Sequence, residues 1–463
     1  MNKFLLITYA FPPMGLVGAI RPYKLCRYLP SKGWVPEVIT VEPRKGIHLD
    51  STLLNDIPEV VNIHRTKTFD PVIIYQEYCN RFKKKEEIIS NISKKSSSHK
   101  DYSYKKHFMH ILSNIKNTFL NIISTPDHQV FWNIFILIEG FRILHRDKDI
   151  QFIMTSSPPH SSQIGGMLLS IFFKKCFIVD YRDPWNDVAL LEKLLNKSNI
   201  RKKIEESLES IIIKKAKYVI STSETYATIL KIRLGDLNKP NKYVCITNSY
   251  EKEYFDSIQP VILPKFTISY LGIFYPLCNP YYFFKVLGKF IKHYNIGKDN
   301  ISLKIIGNLD IYTRKILEDY HLLEITEVTG RVNHKEAISI AKSSDLLLLL
   351  MGTTDLTPKG WIPSKLIEYI ACGKPIIGIV PEGEAAEIIR NTKTGYAITS
   401  ENEEAIIKII KHEYDMKDND VMSVQYPNYK EIEKFSNEHT ISKFIGLFNS
   451  IMHNSNCRRE INK

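Results

Sequence analysis

The feature that most limits how this chain can fold is a recurring run of nearly continuous apolar residues ending in small or polar ones. "KFLLITYAF", "VPEVITV", "IQFIMTSS", "CFIVDYRD", "AKYVISTS" and "KYVCITNS" follow one another through the first half of the sequence. Helix-length segments, 17 to 32, 161 to 174 and 200 to 216, lie between several of them. Strands that alternate with helices pair in parallel through crossovers, so a doubly wound sheet is expected. The same grammar then restarts. "FTISYLG", "ISLKIIGN", "ITEVTGRV", "DLLLLLM" and "KPIIGIV" alternate with helices near 280 to 294, 311 to 320, 334 to 343, 364 to 372 and 384 to 390.

Between the two series, "SYEKEYFDSIQPVILPK" (249 to 265) is charged, holds two prolines and has no clear period, which marks a domain boundary. The expected division is a first Rossmann-like domain over 1–255, a second over 256–430 and a terminal segment over 431–463. Within the last, "EIEKFSNEHTISKFIGLFNSIM" (431 to 452) reads as one amphipathic helix packed on the body. Two such domains facing each other leave a cleft lined by strand carboxyl ends, where ligands of these sheets bind.

At 463 residues the chain can bury two or three full cores. Its net charge of +13 creates a field that attracts anions: phosphorylated ligands, acidic lipid headgroups or nucleic acid. The excess is concentrated in residues 81–120, which carry ten Lys or Arg against three acidic residues and contain "KKSSSHK". The amphipathic "HFMHILSNIKNTFLNIIS" follows. This insertion reads either as a solvated loop or as a basic surface touching an anionic membrane. No aromatic interleaving or recognisable binding module accompanies the charge, so nucleic acid is not expected as a partner.

The seven cysteines form no C-x-x-C pair and several sit in apolar runs, which suits a reducing, cytoplasmic compartment. HExxH, P-loop and GxSxG motifs are absent, so zinc hydrolysis, Walker-type phosphate handling and an ordinary serine hydrolase lack their signatures. The opening "MNKFLLITYAFPPMGLVGAIR" is interrupted by Pro12, Pro13 and two glycines, and reads as a first strand and its loop rather than a cleaved leader. No apolar run approaches the roughly 18 to 20 residues of a membrane span. The expected location is the cytoplasm, either free or, where the basic stretch is a membrane-touching surface, peripheral at the inner face of the cell membrane.

Several stretches carry residues suited to chemistry. Gly15 and Gly18 permit a tight loop before a helix whose positive end would favour an anion, and a purely structural turn fits them equally. In "DIQFIMTSSPPHSS", Ser156, Ser157 and His160 stand where a strand gives way to a helix, with helix capping as the simpler role for the serines. Arg182 and Asp183 in "VDYRDPW" lie directly beyond a buried strand, either as a functional pair or as an anchor for their own loop. In the second series, "TGRV" (329 to 332) ends a strand with a glycine turn suited to main-chain hydrogen bonds with a planar base. "PSKLIEYIACGKP" puts Ser364 and Lys365 at a helix amino end, where N–H groups and an ammonium converge on one anion. Glu368, three residues on, could accept hydrogen bonds from two ribose hydroxyls. The competing account is a Lys365–Glu368 surface pair.

Nearly the whole chain resembles family 4 glycosyltransferases of GT-B fold, in particular those associated with bacterial surface polysaccharides. The resemblance rests on "FPPMGLVGAIRPYKLCRYLPSKGW", "TSSPPHSS" followed by "DYRDPW", "ITNSYEKEYF", "TGRVNHKEAISIAKSSDLLLLL" and "PSKLIEYIACGKPIIG", in that order. It implies transfer of a sugar from a nucleotide diphosphate donor to a glycan or polyprenyl-linked acceptor, with retained configuration, no metal and no cofactor besides the donor. By the same likeness the donor lies on Gly272, Arg331, Val332, Ser364, Lys365, Leu366 and Glu368. The acceptor or its phosphate lies near Gly15, Gly18 and His160, with Asp183 and Arg182 as the catalytic candidates, and the terminal helix crosses back to the first domain. Two departures stand out. Gly360 occupies the place of a Glu that the family commonly carries with seven residues between it and Glu368, and "LGIFYPLCNP" (271 to 280) lacks the usual Arg and Lys, a charge that Lys365 and Arg331 are expected to supply. The alternatives are a non-catalytic nucleotide-sugar binder and a GT-B-like nucleotide-sugar epimerase.

Overall fold

A computed structural model describes residues 1–43, 49–70, 124–186, 198–275, 278–352, 358–399, 401–418 and 427–453. Two all-parallel sheets dominate it. The first contains β1 (Asn2–Thr8), β2 (Trp34–Val41), β3 (Asn62–Thr66), β4 (Ile150–Ser157), β5 (Cys176–Tyr181), β6 (Tyr218–Ser221) and β7 (Tyr243–Cys245) in the order β3-β2-β1-β4-β5-β6-β7. The second contains β8 (Phe266–Leu271), β9 (Ile301–Ile306), β10 (Thr326–Val328), β11 (Leu346–Leu350), β12 (Ile376–Ile379) and β13 (Gly395–Ile398) in the order β10-β9-β8-β11-β12-β13. Each sheet reverses its winding beside its own first strand, between β1 and β4 and between β8 and β11. The loops leaving those strands therefore open at the switch points where α/β sheets take ligands. This is the expected GT-B architecture of two doubly wound domains.

The helices of the first series are α1 (Val17–Tyr28), α2 (Trp132–Arg146), α3 (Ser162–Phe172), α4 (Asn199–Lys215) and α5 (Glu224–Arg233). They are followed by α6 (Lys252–Ser257), α7 (Tyr281–Tyr294), α8 (Ile311–Asp319), α9 (His334–Ser343), α10 (Ser364–Cys372), α11 (Glu384–Thr392), α12 (Glu403–Asp418), α13 (Tyr429–Glu433) and α14 (Asn437–His453). The five leucines of β11 show why the apolar runs have no polar alternation. Leu346, Leu348 and Leu350 join one core with Phe283, Phe284 and Phe290 of α7, while Leu347 and Leu349 join another with Leu366 and Tyr369 of α10. Alternate side chains point to opposite faces, and helices cover both.

Two readings of the sequence change. The boundary stretch 249–265 holds a short helix, α6, because Phe255 and Ile258 reach the second domain's core. The segment 431–452 is broken into α13 and α14. The break follows from Ser436 pairing with Tyr250: the Tyr250 N–H donates to the Phe435 carbonyl at 3.0 Å, and the Asn437 N–H to the Tyr250 carbonyl at 2.8 Å. The two passages of chain between the sheets are thereby tied together. Beyond the break, α14 lies on the first domain, where Phe448 meets Phe152, Phe4 and Trp34 with ring centroids 4.8, 5.1 and 5.3 Å apart. The basic stretch 81–120 lies outside the described residues. Cys26, Cys176, Cys245, Cys278 and Cys372 are free thiols and buried.

A surface-proximal cluster ties the α5–β7 turn. Burial opposes ionisation of Asp236, but hydrogen bonds from Lys239, Tyr243 and Lys242 outweigh it and hold the carboxyl down at about 2. A depressed folded-state value contributes stability above the ordinary Asp range, and that contribution is lost as pH falls toward 2. Asp236→Asn is accordingly expected to cost about 1–2 kcal/mol at neutral pH. Urea unfolding at stepwise lower pH should show the gap between the two proteins closing.

Candidate functional site

In the first domain, β1, β4 and β5 deliver three loops to one place. Arg182, directly after β5, is buried, and its guanidinium spans three carbonyls. Nε donates to Ser157 at 3.1 Å, one terminal nitrogen donates to Pro158 at 2.8 Å, and the other donates to Gly18. Arg182 therefore holds the β1 and β4 loops at fixed spacing, which corresponds to the anchoring account of this residue. It is not salt-bridged to its neighbour Asp183. The buried ion pair of this region is instead formed by Asp180 on β5, which was not singled out in the sequence. Its carboxylate receives Arg21 from α1 in a two-point contact, at 3.0 and 2.9 Å, and the Ser156 hydroxyl at 2.9 Å. Arg21 also donates to the Thr247 carbonyl and lies 5.0 Å from the centre of the Phe444 ring of α14.

Asp183 faces solvent at the mouth of this region while protein surrounds it closely. Loss of water pushes its carboxyl above the ordinary Asp range, with the Arg182 charge acting in the opposite direction. His160 is half-buried, with its ring stacked on Trp185 at 5.0 Å and 7°. Asp127 fixes the adjoining turn by accepting from the Ser161 N–H and hydroxyl. Gly15 lies in the loop entering α1, whereas Gly18, expected in that loop, is the second residue of the helix itself, where its carbonyl receives Arg182.

In the second domain, Pro363 caps α10, so Ser364 and Lys365 supply the first N–H groups of the helix, while the Leu366 N–H is taken by the Pro363 carbonyl at 3.0 Å. The Leu366 side chain is fully buried in the core, so only its backbone faces this end of the helix. Lys365 does not pair with Glu368. It turns over the end of β8, where its ammonium donates to the Tyr270 hydroxyl at 2.9 Å and sits 4.3 Å from the centre of that ring. Burial lowers its pKa, with the charges of Cys278 and Glu368 raising it in part. Gly272 has φ of +107°, and a Cβ there would lie 2.9 Å from the Lys365 ammonium. Only glycine lets the chain turn away beneath that cation.

Glu368 points toward α9, where its carboxylate meets His334 Nε2 at 3.1 Å, and His334 Nδ1 meets the Tyr254 hydroxyl at 3.0 Å. Burial alone would lower the His334 pKa, but the Glu368 hydrogen bond and charge prevail and raise it. Lys24 of α1 stands nearby in the first domain, donating to the Ser249 carbonyl at 2.7 Å. Its burial lowers its pKa against the charges of Glu251 and Glu368. Arg331 is exposed on the turn after β10, and Val332 packs on the second domain's core.

Two further contacts join the domains. The Glu384 carboxylate, in the first turn of α11, accepts from the N–H groups of Glu224 and Thr225 at 2.9 and 3.0 Å, capping α5 of the first domain. Beside it, a Cβ on Gly360 would lie 2.8 Å from the Ser223 hydroxyl and 2.9 Å from the Thr225 side chain. The place of the family's common Glu is thus closed by the first domain. His334, Tyr254, Lys24 and Glu384 were not identified from sequence. Of these, only Glu384 leaves a signal, an acidic first turn after Gly383. Among the described residues no group of His, Cys, Asp and Glu could hold a metal ion, and no helix is long and apolar enough to cross a membrane.

Residues 261–423 match the family model described as "Glycosyl transferases group 1". No curated protein sequence matches the chain. Solved structures similar to it include a sucrose-phosphate synthase from Thermosynechococcus elongatus, with 13% identity, TM-score 0.61 and coverage of 98% of this chain and 100% of that one. A glycosyltransferase from Rickettsia africae has 15% identity and TM-score 0.57, covering 98% and 100%. A mutant of TarM from S. aureus, solved with fondaparinux, alpha-GlcNAc-glycerol and UDP, has 12% identity and TM-score 0.57, covering 97% and 100%. At these identities the structures establish a shared fold, and the group 1 glycosyltransferase region spans the second domain's Gly272, Arg331 and Lys365 to Glu368.

Proposed function

We propose that the protein is a glycosyltransferase that moves a sugar from a nucleotide diphosphate to a glycan or lipid-linked acceptor, with retention and without a metal, in the making of a surface polysaccharide. The observation that carries this reading lies inside the group 1 match: the amino end of α10 and the Lys365 ammonium converge beside the Gly272 turn, at the carboxyl end of β8. That is where a diphosphate is best received, since the N–H groups and the ammonium are fixed before it arrives. Arg331 and Val332 would border the base, and Glu368 the ribose. On the other side, Gly15, Gly18 and His160 would border the acceptor, with Arg182 holding their loops and Asp183 orienting the acceptor hydroxyl.

In the proposed reaction the bond from the anomeric carbon to the diphosphate oxygen breaks and the bond to the acceptor oxygen forms. The acceptor's proton passes to the leaving oxygen. Negative charge grows on the diphosphate as this happens, so groups already aimed at it lower the barrier more than they stabilise the bound donor.

Glu368→Ala is expected to weaken binding of the preferred nucleotide diphosphate by about 1–3 kcal/mol, through loss of charge-assisted hydrogen bonds. Calorimetric titration with UDP, GDP and ADP reads this directly. Transfer and hydrolysis assays with the corresponding sugars then separate the transferase from its alternatives. A binder gives thermal stabilisation without turnover, and an epimerase interconverts donor sugars with no acceptor present.

A further inference from the structure

We infer that the outer face of α2 and α3 is a docking surface for an anionic lipid bilayer, separate from the basic stretch at 81–120. Both helices are apolar on more than their inner side. On α2 the core face is Ile136, Gly140, Ile143 and Leu144, yet Ile134, Ile138 and Phe141, spaced i, i+4, i+7, are exposed. On α3, Gly166 and Leu169 face inward, while Leu168, Ile171 and Phe172 are exposed. Ile138 retains 63% and Phe172 65% of its accessible surface. The stripes are continuous, since the Phe141 and Phe172 rings lie 4.4 Å apart. A surface helix of a freely soluble domain carries polar residues on the side away from the core; the exposed residues of α3 are all apolar, and on α2 exposed Arg142, His145 and Arg146 stand only toward its carboxyl end.

Charge selects the partner. Arg142, 74% exposed in its side chain, rises beside Phe141, and exposed Lys174 with half-buried Lys175 follows Phe172 and Phe173. The Lys148 ammonium lies 5.8 Å from the centre of the Phe173 ring. Of the nearby acids, Glu139 is engaged with His64 and Arg142, and Asp147 with Lys3, while exposed Asp149 offsets part of the charge of Lys175. Apolar side chains with cationic stems at their edge match the boundary between acyl chains and acidic headgroups. A second copy fits poorly, because a two-fold interface would set these cations against themselves in a molecule of net charge +13. The face shares α3 with the His160 loop, which would bring the proposed acceptor side near the membrane. The docking itself needs no turnover and stands apart from the transferase reading.

Sedimentation of the full-length protein with vesicles of phosphatidylcholine, alone or with about one third phosphatidylglycerol, tests this. Binding is expected only to the anionic vesicles, weakening as salt rises. The double variant Ile138→Glu, Phe172→Glu should lower the partition coefficient at least about tenfold, with an unchanged circular dichroism spectrum because both side chains are exposed. Arg142→Glu with Lys174→Glu should weaken binding and flatten its salt dependence. Absence of wild-type binding overturns the inference. So does unchanged binding of the Ile138/Phe172 variant, above all if Lys83→Gln, Lys84→Gln and Lys85→Gln together abolish it. A concentration-dependent dimer that the Ile138/Phe172 variant dissolves would assign the face to a second copy instead.

Discussion

Replacing Asp180 with alanine is expected to lower the free energy of unfolding by about 3–5 kcal/mol, the cost of stranding a buried cation. Asp180 has no solvent exposure, and Arg21 retains 7%. Without the carboxylate, Arg21 keeps the Thr247 carbonyl and the Phe444 ring but no opposite charge, and Ser156 loses its acceptor. The same carboxylate indirectly joins α1, β4, β5 and the approach to α14, so its loss should shift the first unfolding transition in urea. Asp183→Ala, three residues on and exposed, is expected to move stability by no more than about 0.5 kcal/mol. A stability loss for Asp183→Ala as large as that for Asp180→Ala would show that the two acids share one network, contrary to the geometry.

The second large effect is kinetic. Lys365→Ala is expected to slow sugar transfer roughly 100-fold, about 3 kcal/mol in barrier, through loss of a preorganised cation at the leaving diphosphate. Its effect on stability should be smaller, about 1 kcal/mol, because the ammonium also rests on the Tyr270 ring. Lys365→Met keeps the apolar stem, and should restore most of the unfolding temperature while leaving turnover low. Single-turnover measurement with saturating donor distinguishes the chemical step from binding. Turnover that falls only in proportion to unfolding would mean that Lys365 serves the fold and not the reaction.

The sheets were legible in the sequence because each parallel strand is covered on both faces. The five successive leucines of β11 are buried together because helices cover both faces of that strand. Helix limits followed from the same periods: the segments expected at 334 to 343 and 364 to 372 are α9 and α10. The break at 434–436 was hidden, since the amphipathic pattern runs through it and the cause is a pairing with Tyr250, far away in sequence. Partners of the site residues were hidden for the same reason. Nothing local to "NSYEKEY" or "VNHKE" shows that Tyr254 and His334 meet beside Glu368. Asp180 was masked by its neighbours: "DYRD" offers two acids and one base, and only the strand's register shows which acid turns inward to Arg21. Lys365 was conspicuous as a cation at a helix amino end, but its resting partner, Tyr270, lies on β8, far away in sequence.

The placement of α14 bears on the order in which the protein takes shape during synthesis. Phe4, Trp34 and Phe152 belong to some of the earliest strands to leave the ribosome, yet the helix that shelters them, through Phe444 and Phe448, is translated only after the entire second sheet. Domains commonly fold in turn as they emerge. Here the leading domain must wait, with an aromatic surface uncovered, until the trailing one is complete. Shortening the chain before Asn437 would therefore leave a half-finished amino-terminal half, prone to aggregate, beside an intact carboxyl-terminal one.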